Sequence, residues 1–236
     1  MANVVNRDSL EAELAKKFSK LSARHRKELM TLLGNPPNYA NVPQSFWQKV
    51  VSELNGSFVP MLADVYMEQA EFLLTSVPIG VDLGLINQQA VQWAQQHAGA
   101  LVRGITNTTQ KLVRDAVGNF FEQSMTLGDL GNMIGRAFGP IRAEMIAVTE
   151  VTRAASEAEV IVGEGLHDEG VDMIAIWKTR NDEAVCPICG PLNNKKAAGY
   201  RGKRRPYWIN PVSGGELEPP PAHPRCRCSM AWELPK

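Results

Sequence analysis

Residues 186–189, Cys186-Pro-Ile-Cys189, and 219–228, Pro219-Pro-Pro-Ala-His223-Pro-Arg-Cys226-Arg-Cys228, decide how this chain is read. All four cysteines of the 236-residue sequence lie in these two short runs, with one of its four histidines. A C-x-x-C pair and an H-x-x-C-x-C run, separated by a loop, supply two tight clusters of soft donors, as a tetrahedral zinc site requires. The proline and glycine around the first pair shape a knuckle whose backbone N–H groups can point at thiolates. Four such ligands fill the coordination sphere of Zn²⁺ and leave no open position, so the expected role of the ion is structural.

Three other readings compete. Two disulfides need an oxidising compartment, and the first residues of the chain form no secretory signal. A redox C-x-x-C opens a helix in a βαβ unit, whereas a proline and a polar loop follow here. Cysteines without a shared role have no reason to gather in the last quarter of the chain beside a matched histidine. Cys186, Cys189, His223, Cys226 and Cys228 are thus candidates for four places. The expected set is Cys186, Cys189, His223 and Cys226, with Cys228 the leading substitute. That choice rests on the premise that an extended Cys226-Arg-Cys228 points its sulfurs apart.

Beyond the cysteines, Lys+Arg and Asp+Glu balance at 25 each, so no global field draws the chain to nucleic acid or membrane. A hydrophobic content of 44% suits a soluble globular protein. No run approaches the roughly 18–20 uncharged apolar residues of a membrane span. Cysteine usage and the missing signal point to synthesis in a reducing cytoplasm.

Upstream, the periodicity is helical. Residues 8–33 read as an amphipathic helix opened by Asp8 or Ser9 and closed by Gly34-Asn-Pro-Pro. After a Pro/Asn linker, Ser45 opens a short helix to Leu54, and another runs from about Pro60 to Thr75, broken by Pro78-Ile-Gly80. An Ala-rich helix follows from Asn87, and Thr106-Asn-Thr-Thr109 reads as an N-cap cluster starting the next. Thr126 or Asp129 restarts a short helix to Phe138. Pro140 opens a long one to about Leu166, its end loosened by Gly163 and Gly165. From Val171 the rhythm turns to β alternation, with Met173, Ala175 and Trp177 on one side.

The expected fold class is therefore α+β: a mostly helical N-terminal two-thirds with a small β-rich zinc-binding module at the C-terminus. Its expected parts are an N-terminal helical segment over 1–75, a helical domain over 76–170 and the module over 171–236.

Around the metal ligands, Glu150 and Arg153 stand at i, i+3 on one helix face. They read either as an exposed ion pair or as a support for the strand that carries Trp177. Asp182 reads as a brace for the knuckle backbone or as an ordinary turn residue. Lys195, Lys196, Arg201, Lys203, Arg204 and Arg205, interleaved with Tyr200, Tyr207 and Trp208, form the one concentrated basic-aromatic segment. Such a segment suits DNA contact of strongly salt-dependent affinity, an acidic protein surface, or plain solvation. No Walker loop, nucleophile elbow, H-E-x-x-H or dinucleotide fingerprint is present, and no catalytic residue is expected. A zinc-dependent hydrolase, needing an open coordination position and a base, is the least favoured reading.

Taken together, Thr149-Glu150-x-x-Arg153, Trp177-x-Thr179-x-x-Asp182-x-x-x-Cys186-x-x-Cys189 and Pro220-Pro-Ala-His223-Pro-x-Cys226-Arg-Cys228 resemble the phage head morphogenesis family typified by the F protein of phage Mu. The likeness covers about residues 80–232. Many family members have histidine where this chain has Cys189, a swap that suits a metal ligand. They also tend to have glycine where this chain has Asn194, after Leu192-Asn. The resemblance implies a minor capsid component of the virion, in the capsid interior or at the portal vertex, made in the host cytoplasm. Its implied partners are the portal and the capsid or scaffold proteins, and its implied roles are head assembly and genome delivery. A DNA-contacting virion protein acting through 195–208 is the alternative.

Overall fold

In the computed structural model, which describes residues 6–75, 83–180, 182, 185–202 and 204–235, five helices precede a small β module. The expected break at Pro78-Ile-Gly80 lies outside the described residues, as does Lys203. The helices are α1 (Arg7–Leu33), α2 (Gln44–Thr75), α3 (Leu83–Glu122), α4 (Leu127–Phe138) and α5 (Pro140–Asp168). The strands are β1 (Ile174–Lys178), β2 (Gly199–Arg201), β3 (Arg205–Ile209), β4 (Glu216–Leu217) and β5 (Ser229–Glu233). The fold class is α+β. No helix among the described residues is long and apolar enough to cross a membrane.

One apolar cluster joins all five helices, from Leu14, Phe18 and Leu29 of α1 through Phe58 and Leu62 of α2 to Val151 and Ala154 of α5. Two helices run through points where the sequence signals breaks. Pro60 lies inside α2. Its missing N–H and its ring disturb the turn back to Gly56, yet Phe58, Met61, Leu62 and Val65 bury one continuous face across it. Packing on that face outweighs the local defect. Likewise α3 passes straight through Thr106–Thr109. There the Thr108 and Thr109 hydroxyls donate to the carbonyls of Gly104 and Ile105, at 2.8 and 2.7 Å, and the helix continues instead of being capped.

Other ends fall where the sequence puts them. Thr126 and Asp129 form a reciprocal capping box on α4, with the Asp129 N–H donating to Thr126 Oγ1 at 3.1 Å and the Thr126 N–H to Asp129 Oδ2 at 3.0 Å. Thr126→Ala is expected to destabilise the fold by about 1 kcal/mol, read as a shift in urea midpoint.

Pro140 begins α5. Gly163 does not loosen that helix: a Cβ there would sit 2.6 Å from the Trp232 ring. The glycine is a seat on which β5 lies. Gly163→Ala is expected to cost about 1–2 kcal/mol, because overpacking outweighs the gain in helix propensity, and thermal melting of the variant checks it.

In the module, β1 pairs antiparallel with β5, setting Trp177 opposite Met230 and Ala175 opposite Trp232. The other edge of β1 binds residues 195–197, through Trp177 N–H to Lys195 O at 2.9 Å and Ala197 N–H to Ala175 O at 2.8 Å. Strands β2, β3 and β4 form a second antiparallel sheet. Trp177 and Trp208 meet edge-to-face at 5.2 Å, both almost fully buried, in one cluster with Cys189, Cys226 and Cys228.

Candidate metal centre

The knuckle Cys186-Pro-Ile-Cys189 leads into a single 3-10 turn, Gly190–Leu192. The Cys189 N–H points at Cys186 Sγ at 3.4 Å, and the Gly190 N–H donates to Cys186 O at 2.9 Å. This is the knuckle geometry expected from the sequence. Asn194 takes φ 62°, a left-handed conformation that asparagine tolerates, and so does the work of a glycine at that turn. On the other side of the site the Cys226 N–H donates to His223 O at 3.1 Å, folding the second run into its own turn.

These two turns bring all five donors together. Cys186 Sγ lies 3.1 Å and Cys189 Sγ 3.4 Å from His223 Nε2, and Cys189 Sγ lies 3.9 Å from Cys226 Sγ. Donor atoms of Cys186, Cys189 and His223 are mutually within 4.8 Å, as are those of Cys189, Cys226 and Cys228. Cys189 belongs to both triads. Cys228 is thus a full member of the cluster, and the premise that set it aside fails. Side chains two residues apart share a face of an extended chain.

Several further features fit a metal ion. All four cysteines are free. A cavity of about 30 Å³ is lined by all five donors, room enough for an ion. His223 Nδ1 donates to Pro224 O at 2.8 Å, which leaves the Nε2 lone pair directed at the sulfurs, the tautomer a metal ligand needs. The sulfurs sit too close to ionise together in the absence of a cation. Hydrogen bonding from Cys189 drives Cys226 far down toward thiolate, while the same contact with Cys226 drives Cys189 far up. Burial opposes protonation of His223, but the Pro224 carbonyl and the Cys226 and Cys186 sulfurs outweigh it and raise its pKa. Contact with Cys189 lowers the Cys228 pKa, but contact with Cys226 and burial outweigh it and push it up to about 12, with the buried Trp177 Nε1 opposing the rise only slightly.

The centre is clasped by α5 and α1. The Arg225 N–H donates to Thr149 Oγ1 at 2.9 Å, and the Thr152 hydroxyl donates to Cys226 O at 2.8 Å. Arg7 donates to Cys228 O at 3.2 Å and also to Thr152 Oγ1. Arg227 Nε reaches Glu11 Oε2 at 2.9 Å, and Arg180 pairs with Asp8. A charged cleft of about 560 Å³ between these groups thus has its arginines already matched to acids.

Of the supporting residues expected from sequence, Trp177 packs directly on the cysteines. The Asp182 carboxylate lies 3.8 Å from Arg180 Nε, and its carbonyl accepts from the Val185 N–H. Glu150 and Arg153 form the i, i+3 charge pair of the first reading, and only their support of the Trp177 strand is corrected. Glu150 Oε2 lies 2.5 Å from His97 Nε2 and 3.5 Å from Arg153 Nε, so the pair links α5 to α3 and does not hold β1. His97 also stacks on Trp93, with ring centroids 4.9 Å apart. Thr149 and Thr152, on the turn facing the module, instead hold the backbone of the second ligand run at Arg225 and Cys226.

The clasp from α1 went unread. Its one sequence signal is phase: Arg7 and Glu11 continue the buried stripe of Leu14 and Phe18. Two charges on an apolar stripe mean that a polar partner covers it.

The basic segment is folded into the module. Arg205 bonds Glu157 at 3.1 Å and Glu218 at 2.9 Å, Arg204 lies 3.3 Å from Asp172 and over the Tyr200 ring, and Arg201 pairs with Glu216. Lys195 and Lys196 run along the edge of β1, with Lys196 bridging Ile176.

Compared with family models, with curated proteins and with solved structures, the chain matches none.

Proposed function

We propose that the chain is a minor head morphogenesis protein of a tailed phage, associated with the portal vertex, whose C-terminal module is pinned by a structural Zn²⁺. The observation that carries the reading is the meeting of the three resembling motifs. The His223-Pro-Arg-Cys226-Arg-Cys228 run closes on Cys186 and Cys189 while its backbone is held by Thr149 of the Thr-Glu-x-x-Arg helix. Zinc is favoured over harder divalent ions by the thiolate-rich donor set. With Zn–S bonds of about 2.3 Å, a regular tetrahedron has sulfur–sulfur edges of about 3.8 Å, and Cys189 and Cys226 stand 3.9 Å apart. A module this small gains its fixed shape from such an ion. The helical body then offers the surface for the portal or scaffold, and the module a rigid knob beside it.

The test is particle composition. Peptide mass spectrometry of purified heads is expected to find the chain at far fewer copies than the major capsid protein, and heads made without it are expected to assemble or package poorly. Its absence from heads at every stage, with normal assembly in a null mutant, contradicts the proposal.

A further inference from the structure

We infer that Arg7, in the first turn of α1, is a positioning residue of the metal centre, and that through it metal occupancy is linked to docking of the N-terminal end of α1. The inference rests on the metal reading of the Cys/His cluster. It extends that reading to a part of the chain, residues 1–75, outside the stretch that resembles the head morphogenesis family.

The geometry is a fork and a relay. One guanidinium nitrogen of Arg7 donates to Cys228 O at 3.2 Å. The other donates to Thr152 Oγ1, and that hydroxyl in turn donates a hydrogen bond to Cys226 O at 2.8 Å. The carbonyls on both sides of Arg227 are thus gripped from one guanidinium. One turn later on α1, Glu11 takes the Arg227 side chain itself at 2.9 Å. Three consecutive residues, two of them candidate ligands, have their path fixed by Thr152 of α5 and by Arg7 and Glu11, the last two more than two hundred positions away in the chain. Such contacts behind the ligands set how the sulfurs are presented.

Charge argues the same way. Arg7 is only 8% exposed, a costly place for a cation unless negative charge faces it. Glu11 and the Cys226 sulfur supply that charge. A divalent ion held by three thiolates and an imidazole carries one net negative charge, and one held by four thiolates carries two. Arg7 is the buried cation placed to offset it. Lysine keeps the charge but has no planar fork to bind the carbonyl and the hydroxyl together.

The test compares Arg7→Met, which keeps the stem, Arg7→Lys, which keeps the charge, and Arg24→Met, a control on α1 whose partner is Glu53. Zinc affinity is measured by competition with a chromophoric chelator. The thiolate-to-cobalt absorption of the Co²⁺-loaded protein reports the ligand geometry. Arg7→Met is expected to bind roughly 10–100-fold more weakly with a shifted cobalt spectrum, Arg7→Lys to recover part of the loss, and Arg24→Met to match the wild type. Wild-type affinity and spectrum in Arg7→Met overturn the inference and leave the metal reading intact. A wild-type protein that takes up neither ion overturns both.

Should Arg7→Met not fold, hydrogen exchange on the wild-type protein decides. Chelation is expected to deprotect residues 7–14 well beyond residues 25–33, and equal protection in both states overturns the inference.

Discussion

Cys189→Ser is expected to strip the centre of its ion. Cys189 is 2% exposed and is shared by both donor triads, 3.4 Å from His223 Nε2 and 3.9 Å from Cys226 Sγ. A serine hydroxyl is a hard, neutral oxygen and replaces a thiolate poorly. Structural zinc binding is worth about 12 kcal/mol in small domains, or about 3 kcal/mol for each of four ligands, so the variant is expected to bind roughly 100-fold more weakly or worse. Cys186→Ser and Cys228→Ser each break one triad only, and a smaller loss is expected from either. On the proposed reading the ion ties the knuckle to the run that leads into β5, the partner of the strand carrying Trp177, so its departure is also expected to loosen the Trp177–Trp208 contact. Chelator titration followed by near-ultraviolet circular dichroism reads both effects. An unaltered titration in Cys189→Ser excludes the shared-ligand geometry.

The second large effect belongs to Glu159. It is 1% exposed on α5, where Gln69 of α2 donates to one carboxyl oxygen at 3.0 Å and the Met230 N–H and Trp232 side chain lie near the carboxyl. Burial, opposed by the attraction of Arg7, raises its pKa to about 8. In the unfolded chain a glutamate ionises near 4.3. Between those values the folded protein keeps a proton that the unfolded chain has lost. The associated stability is full below the unfolded pKa, falls as pH rises, and is gone above about 8. At about 1.4 kcal/mol per pH unit the total loss is on the order of 5 kcal/mol. Glu159→Gln stays neutral, so its urea midpoint is expected to lack this decline and to exceed that of the wild type at high pH. Parallel profiles for the two proteins between pH 5 and 9 contradict the assignment.

The helical-to-β division near residue 171 was legible because the apolar period changes there from helical to alternating, and Thr126 and Pro140 marked helix starts by their local chemistry. Pro60 and Thr106–Thr109 misled because burial of a continuous face outweighs one weak turn. The donor set was legible by residue type and spacing, both local properties. The premise about Cys226 and Cys228 misjudged the strand period, and the structure returns Cys228 to the cluster. What holds the centre was not legible. Arg7 to Cys228, Glu11 to Arg227 and Thr149 to Arg225 are contacts between distant segments. Thr149 and Thr152 were missed beside Glu150 because adjacent helix residues face different neighbours, and only the packing says which face meets the module.

X-ray absorption at the zinc edge of the purified wild-type chain tests the metal centre most directly. The account predicts bound zinc with a first shell dominated by sulfur at about 2.3 Å and completed by nitrogen at about 2.0 Å. A folded protein without zinc, or with zinc surrounded by oxygen alone, contradicts it.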